Sequence, residues 1–390
     1  MNLVFFTHPS FLGSQSMPRF AKMLSEGMAQ KGHNVQVWSP KARVRKTPGN
    51  SALKKWFGYI DQYIIFPLEV NRRLKSCSPD TLFVFTDHAL GPWVPLVAQK
   101  KHVIHCHDFL AQRSALGQIP QNPTSKSGRI YQSYINKGYL AGKNFISVSK
   151  KTQEDLAEFL PFKPALSKVV YNGLNQSFLK FDKAQSINKL KSELAIDLQR
   201  GYILHVGGNQ WYKNRVGVID IYNAYRKNYE SALPLLMIGS PPVSEIVAAF
   251  NKSAFKNDIH LLTGKDDEFV RSAYAAASVF IFPSLAEGFG WPIAEAMASG
   301  CPVVTTNQAP MTEVAGDAAF LVPAMPYDEA DRQSWAEAAS AVLNNVISMD
   351  EDERAKVISK GLLNVKRFDT QEAINEIESI YLEILNNEKL

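Results

Sequence analysis

Short apolar runs separated by stretches of helical period recur along the whole chain, and they fall into two series. Asn2 to Phe6 reads as a buried strand. A loop with Gly13 and Ser14 follows, and then Phe20, Met23, Leu24, Gly27 and Met28 return at helical spacing. Gly32 ends that helix, and Val35 and Val37 open the next strand. Thr81 to Phe85, His102 to Cys106, Asn144 to Val148 and Lys168 to Tyr171 extend the first series, while Asn175 to Arg200 carries no strand pattern. Beyond it, Tyr202 to Val206, Leu235 to Ile238, Ile259 to Leu262, Val279 to Phe282, Val303 to Thr306 and Ala319 to Val322 alternate with helical stretches such as Val216 to Tyr225 and Asp267 to Ala277. Strands alternating with helices predict parallel sheets covered on both faces, so the fold class is α/β with two doubly wound, Rossmann-like domains. The expected domains are residues 1–175 and 176–368. Residues 369–390 form an amphipathic closing helix with Ile374, Ile377, Ile380, Tyr381 and Leu385 on one side.

The richest stretch runs from Ser278 to Asn307, SVFIFPSLAEGFGWPIAEAMASGCPVVTTN. A strand turns through Glu287, Gly288, Phe289 and Gly290 into a helix with Pro292 in its first turn, where proline costs nothing. Gly300 stops the helix, and Pro302 to Thr306 is the next strand. Turns of this kind, at the carboxyl ends of parallel strands, are where such sheets bind ligands. Glu287 and Glu295 can accept hydrogen bonds from hydroxyl groups, while the backbone N–H groups of Gly288, Phe289 and Gly290 suit anionic oxygen. Hydroxyls plus a diphosphate describe a nucleotide sugar. A plainer alternative for such a pair of acids is that Glu295 offsets the helix dipole and Glu287 caps.

Composition narrows the class. A chain of 390 residues exceeds what one core supports, and 45% hydrophobic content is that of a globular protein. No apolar run reaches the roughly 18 residues of a membrane span. Met1 to Phe6 lacks the basic start of a signal peptide, so a cytoplasmic location is expected. Cys77, Cys106 and Cys301 are too few and too scattered for a disulfide framework or a C-x-x-C metal or redox site. The net charge of +6 hides an asymmetry: residues 1–175 carry 23 Lys and Arg against 9 Asp and Glu, and the rest carries 20 against 28. An anionic membrane surface or an anionic substrate suits the basic half; nucleic acid does not, because no recognition module accompanies the charge. Lys41, Arg43, Arg45, Lys46, Lys54 and Lys55 lie together without an acid, and Trp56 and Phe57 follow directly. That arrangement suits peripheral contact with the inner membrane face, a solvated loop being the plainer alternative. The polar, Tyr-bearing stretch from Gln112 to Tyr139 reads either as an acceptor groove or as an ordinary surface crossover.

The string from Phe282 to Asn307 resembles the E-x(7)-E signature of the retaining glycosyltransferases of family 4. Further blocks resemble the same family in its own order: KGHNVQVWSP at Lys31 to Pro40, His107 with Asp108, FISVSKKTQEDL at Phe145 to Leu156, VVYNGLN at Val169 to Asn175, ILHVGGNQWYKN at Ile203 to Asn214, and APMTEVAGDAAFLVP at Ala309 to Pro323. Together they span nearly the whole chain. The resemblance implies the GT-B fold, an acceptor-binding and a donor-binding domain facing a cleft and closing on it, with the last helix crossing back toward the first domain. It implies metal-independent, retaining transfer of a hexose from a nucleotide diphosphate sugar of the UDP or GDP type to a growing surface glycan or a lipid-linked acceptor, with no cofactor. By the same resemblance Glu287 holds hydroxyls of the donor sugar, Glu295 holds the ribose, and Lys213 neutralises the leaving diphosphate. Gly13, Gly208, Gly288, Phe289 and Gly290 complete the donor-binding set, and His107 lies beside the transferred sugar.

The chain also departs from the family pattern. Where many relatives carry an Arg beside the lysine or after the V-G turn, Tyr212 and Gly208 stand here, so a second phosphate-binding cation is Arg215 or comes from elsewhere. Trp291 replaces a small or aliphatic residue and either touches the donor or packs inside. Asp350, Glu351 and Asp352 spell the D-x-D metal signature of a different transferase fold, but their place at a helix start reads as structural. Two other functions share the architecture, a GT-B nucleotide-sugar isomerase or epimerase and a non-catalytic glycosyltransferase-like subunit. A two-domain solute-binding protein would carry a signal peptide.

Overall fold

The fold is described from a computed structural model covering residues 1–13, 16–175, 177–229 and 233–387. Ser14 of the first loop and Gln176, the first residue of the expected second domain, lie outside the described residues. The chain divides into two compact units, Met1–Asn172 with Gln371–Leu390, and Gly173–Thr370.

Unit 1 holds a six-stranded parallel sheet built from β1 (Asn2–Phe6), β2 (Asn34–Trp38), β3 (Thr81–Phe85), β4 (His102–Cys106), β5 (Asn144–Ser147) and β6 (Leu166–Val169), in the order β2-β1-β3-β4-β5-β6. Every residue of β3, β4 and β5 is buried, which is why these strands read as continuous rather than alternating apolar runs. Aromatic rings fill one face: Phe6 stacks on Phe85 at 4.6 Å, and Phe66 meets Trp93 edge-on at 4.7 Å. The helix Thr370–Asn386 belongs here from Gln371 onward. Ile374 packs against Gly27, Tyr381 hydrogen-bonds His105 at 2.7 Å, and Glu378 pairs with Lys31 at 2.7 Å and His33 at 2.5 Å. Its acids lower the basic excess of this unit: counted over the residues of unit 1, 24 Lys and Arg stand against 14 Asp and Glu.

Unit 2 repeats the architecture with β7 (Ile203–Val206), β8 (Leu235–Ile238), β9 (Ile259–Leu262), β10 (Val279–Phe282), β11 (Val303–Thr306) and β12 (Phe320–Val322), ordered β12-β11-β10-β7-β8-β9 and all parallel. Its core is aliphatic and tyrosine-rich, with Val218, Ile221, Tyr222 and Tyr225 against Leu235, Met237 and Ile281.

Two details differ from the hydrophobic pattern. β6 starts and ends two residues before Lys168 to Tyr171, because its register pairs Leu166 with Asn144 and Val169 with Ser147. The stretch from Asn175 to Arg200 contains a helix, Lys183–Glu193, capped by Asp182 and tied to its own unit by ion pairs from Lys189 to Glu268 and from Glu193 to Lys265. Its buried residues are Ser186 and Leu190, too few for a readable apolar stripe.

Candidate active site

Each sheet reverses its chain order beside its first strand. In unit 2 the switch lies between β7 and β10, in unit 1 between β1 and β3. Loops leaving the carboxyl ends of such neighbouring strands diverge to opposite faces and leave a crevice for ligand.

At the unit 2 switch point, β7 runs into Gly207 and Gly208, and a short turn, Trp211–Lys213, follows. A Cβ on Gly239 would collide with the Gly207 carbonyl, so the turn after β7 and the end of β8 approach at a distance only glycine allows. Asn214 takes a left-handed conformation, φ 51°, and its side chain accepts from Gly217 N–H at 3.2 Å and donates to the Pro283 carbonyl at 2.9 Å. That one residue caps the helix Arg215–Asn228 and ties it to the loop after β10. Ser284 Oγ and the Leu285 N–H both reach the Tyr212 carbonyl at 2.7 Å, locking the two loops together.

Held this way, Lys213 Nζ donates to both carboxylate oxygens of Glu287, at 2.8 and 3.0 Å, and lies 5.0 Å from the centre of the Phe282 ring. Glu287 Oε1 also accepts from Ser284 Oγ at 2.7 Å. Gly290, at φ 106°, then opens the helix Trp291–Ala298, whose Glu295 accepts from the Tyr274 hydroxyl at 3.2 Å. Phe289 sits edge-on against Phe368 at 5.4 Å. The structure thus brings Gly208, Lys213, Glu287, Gly288, Phe289 and Gly290 onto the loops of two adjacent strands, with Glu295 in the helix that follows one of them. The sequence treated Lys213 and Glu287 as grips for different parts of a ligand; the structure pairs them.

Arg215 is 3% exposed. Its NH1 donates to Asn209 Oδ1 at 2.5 Å and to the Ser240 carbonyl at 3.1 Å, while Nε and NH2 find no partner among the described residues. It braces the loop after β7, and burial lowers its pKa. His205 on β7 donates from Nδ1 to the Ile281 carbonyl at 3.0 Å, and burial drives its pKa down to about 3, with the charges of Arg215 and Lys213 acting the same way. Trp291 is half-buried and its indole nitrogen has no partner among the described residues. Asp350 caps its helix by accepting from Glu353 N–H at 2.8 Å, in agreement with a structural reading of that acidic run.

Two of the sequence-nominated residues lie in unit 1. Gly13, at φ 71°, closes a short turn after β1, and a Cβ placed there would meet no atom of the described residues within 4 Å. His107 follows β4 and is 7% exposed. Its Nε2 donates to the Thr86 carbonyl at 2.9 Å and its ring meets Phe20 edge-on at 4.5 Å; burial lowers its pKa against the opposing pull of Asp87. Nearby, at the β1/β3 switch point, stands a group the sequence reading missed. His8 Nε2 is 2.8 Å from Asp87 Oδ2, and His88 Nδ1 is 3.0 Å from Asp87 Oδ1. Burial alone would raise the Asp87 carboxyl, but the two imidazoles beside it, His8 through its hydrogen bond, hold it well below its ordinary value. The signal was available: both polar groups directly follow strands whose limits were legible, in the strings FFTHP and VFTDH.

Residues 17–178 match the profile described as Glycosyltransferase Family 4, and residues 200–345 match Glycosyl transferases group 1, so the two profiles take in most of the chain. O-antigen chain mannosyltransferase B of Escherichia coli is 30% identical over 184 residues, 47% of this chain and 46% of that protein. The matched stretch thus spans about half the length of such curated relatives. The fold resembles sucrose-phosphate synthase from Thermosynechococcus elongatus, with a TM-score of 0.75 at 15% identity over 99% of this chain and all of that one. It also resembles HepE of Anabaena, solved with UDP and glucose, with a TM-score of 0.70 at 17% identity over 98% of this chain and all of that one. These likenesses give the GT-B architecture of two doubly wound units. With both profiles on the loops that carry Lys213, Glu287 and His107, the chain belongs to the family 4, group 1 glycosyltransferases.

Proposed function

We propose that this chain is a retaining, metal-independent hexosyltransferase that moves a hexose from a UDP or GDP sugar to a growing surface glycan or lipid-linked saccharide. The observation that carries the reading is the Lys213–Glu287 pair at the switch point of unit 2. An ammonium has three hydrogens, and Glu287 takes two, so the third serves a phosphate oxygen of the leaving diphosphate, where negative charge grows in the transition state. A carboxylate has about four lone-pair sites, so Glu287 can accept donor-sugar hydroxyls while Lys213 and Ser284 hold it in place. Glu295 takes the ribose hydroxyls, and Gly13, Gly208 and the Gly288–Phe289–Gly290 turn offer close backbone approach to the donor. His107 lies beside the transferred sugar. The acceptor oxygen bonds to the anomeric carbon, the bond from that carbon to the diphosphate breaks, and the acceptor proton passes to the leaving diphosphate on the same face. E. coli O-antigen chain mannosyltransferase B and the UDP- and glucose-bound HepE support this choice of donor and product class.

Glu287→Gln tests the reading: turnover of a panel of UDP and GDP hexoses should fall by about a thousandfold with the melting temperature preserved. Unchanged turnover would contradict it. Donor consumption that runs equally well without acceptor would favour an isomerase or epimerase instead.

Unit 1 also carries a surface suited to an anionic membrane. Leu53, Trp56, Ile64 and Leu68, on the helical run from Ser51 to Leu74, are all exposed, Trp56 at 65%. Ile130 and Tyr134 on the helix Lys126–Tyr139 are exposed as well, and Tyr134 meets Tyr63, the neighbour of Ile64, at 5.5 Å. Lys54, Lys55, Lys126 and Arg129 lie on the same two helical segments. Apolar side chains among cations match an anionic bilayer surface. No helix among the described residues is long and apolar enough to cross a membrane. Co-sedimentation with phosphatidylglycerol vesicles, weakened by Trp56→Glu, is the expected result; equal binding to phosphatidylcholine vesicles would contradict it.

A further inference from the structure

The switch point of unit 1 holds chemistry that the donor site does not use. Asp87 is 7% exposed, and its Oδ1 accepts the Ala89 N–H at 3.1 Å while Oδ2 faces His8 Nε2 at 2.8 Å. A carboxylate held ionised can only accept, so His8 must present Nε2–H to it. The neutral imidazole then has its lone pair on Nδ1. His8 is half-buried, with 17% of its side chain exposed, so part of the ring is open to solvent. His107 is less suited to that contact, since its Nε2–H is committed to the Thr86 carbonyl and its ring is packed on Phe20. The groups around the pair are His88, against Asp87 and the Phe109 ring, with His107 and Asp108 after β4; burial raises the Asp108 carboxyl.

We infer that His8 is an acceptor-contacting residue: oriented by Asp87, its Nδ1 accepts a hydrogen bond from a hydroxyl of the saccharide acceptor. Asp87 and His88 are positioning residues that fix the tautomer and ring plane, as carboxylates do for histidines elsewhere. The inference rests on the transferase reading above and adds the group on the acceptor side.

Two isosteres separate this role from a merely structural one. His8→Gln keeps an amide near the Nε2 position, and so the Asp87 contact, but loses Nδ1. His8→Asn keeps an amide near Nδ1 and loses Asp87. With a panel of UDP and GDP hexoses and octyl mannoside or octyl glucoside as acceptor probes, His8→Gln should lower kcat/KM for acceptor about 30-fold, as expected for one lost hydrogen bond. Its donor KM should stay unchanged, while His8→Asn, which keeps an amide near the Nδ1 position, should lower kcat/KM for acceptor less than His8→Gln does. The opposite order would overturn the inference while leaving the transferase reading intact, and no transfer by the unaltered protein would overturn both. Independently of activity, nitrogen-15 spectra of labelled histidine should show His8 as the Nε2–H tautomer with Nδ1 shifting when octyl mannoside is added; an Nδ1–H ring would overturn the assignment.

Discussion

The two switch points are built alike and equipped differently. Each lies beside the first strand of its sheet, and each sets a basic side chain after that strand against a carboxylate after its neighbour: Lys213 with Glu287 in unit 2, His8 with Asp87 in unit 1. In unit 2 the pair sits among glycine turns, with the helix Trp291–Ala298 starting at Gly290. Charge, backbone N–H groups and close approach suit a diphosphate and sugar hydroxyls. In unit 1 the base is an imidazole, whose value is a directed lone pair rather than a fixed charge. The topology places the crevice, and the side chains at its rim choose what is done there.

The largest effects should come from breaking the unit 2 pair. Glu287→Gln and Lys213→Met should each lower kcat/KM by about two to three orders of magnitude, and the double variant by much less than the product of the two, because the residues act as a unit. Independent, multiplying losses in a double-mutant cycle would show that the contact is incidental to turnover. Asp87→Asn should act more weakly, by about tenfold, and on the acceptor KM rather than the donor KM, since it frees His8 to change tautomer without removing it. A donor-side defect in that variant would erase the distinction between the two switch points.

Much of this was legible in the sequence, for physical reasons. Strands buried on both faces leave unbroken apolar runs, so β3, β4, β5, β7, β8, β10 and β11 could be read closely. The Glu287 to Gly300 segment carries its own punctuation in glycine and proline. Strand order was not legible, since nothing in the local pattern says that β1 lies beside β3 or β7 beside β10. For that reason Lys213 and Glu287 read as separate grips, and His8 with Asp87, 79 positions apart, did not read as a pair at all. The helix Lys183–Glu193 escaped because it buries little apolar surface.

The smallest effect at working pH concerns stability. Each sheet carries a histidine buried in its neutral form, His105 on β4 and His205 on β7, both pushed from 6.5 down to about 3 by burial; the charge of His107 adds to the shift at His105. Unfolding lets both take up protons. Stability is therefore full above pH 6.5 and should fall between pH 6.5 and about 3, by about 1.4 kcal/mol per pH unit for each histidine. Asp87 has the opposite chemistry but the same sign: its depressed carboxyl stabilises the fold above its ordinary value of 3.8 and loses that contribution only in stronger acid. Melting temperatures between pH 7 and 4 should drop for the unaltered protein and drop less for a His105→Phe, His205→Phe double variant. Parallel curves would contradict the neutral assignment.

Donor binding by the unit 2 switch point is the central claim, and a thermal-shift titration tests it most directly. UDP and GDP hexoses are titrated into the unaltered protein and into Lys213→Met. A UDP or GDP donor at about 100 times its dissociation constant should stabilise the unaltered protein by about 2.7 kcal/mol and leave Lys213→Met little changed at the same concentration. Equal stabilisation of both proteins, or none of the unaltered protein by any donor, would contradict the account.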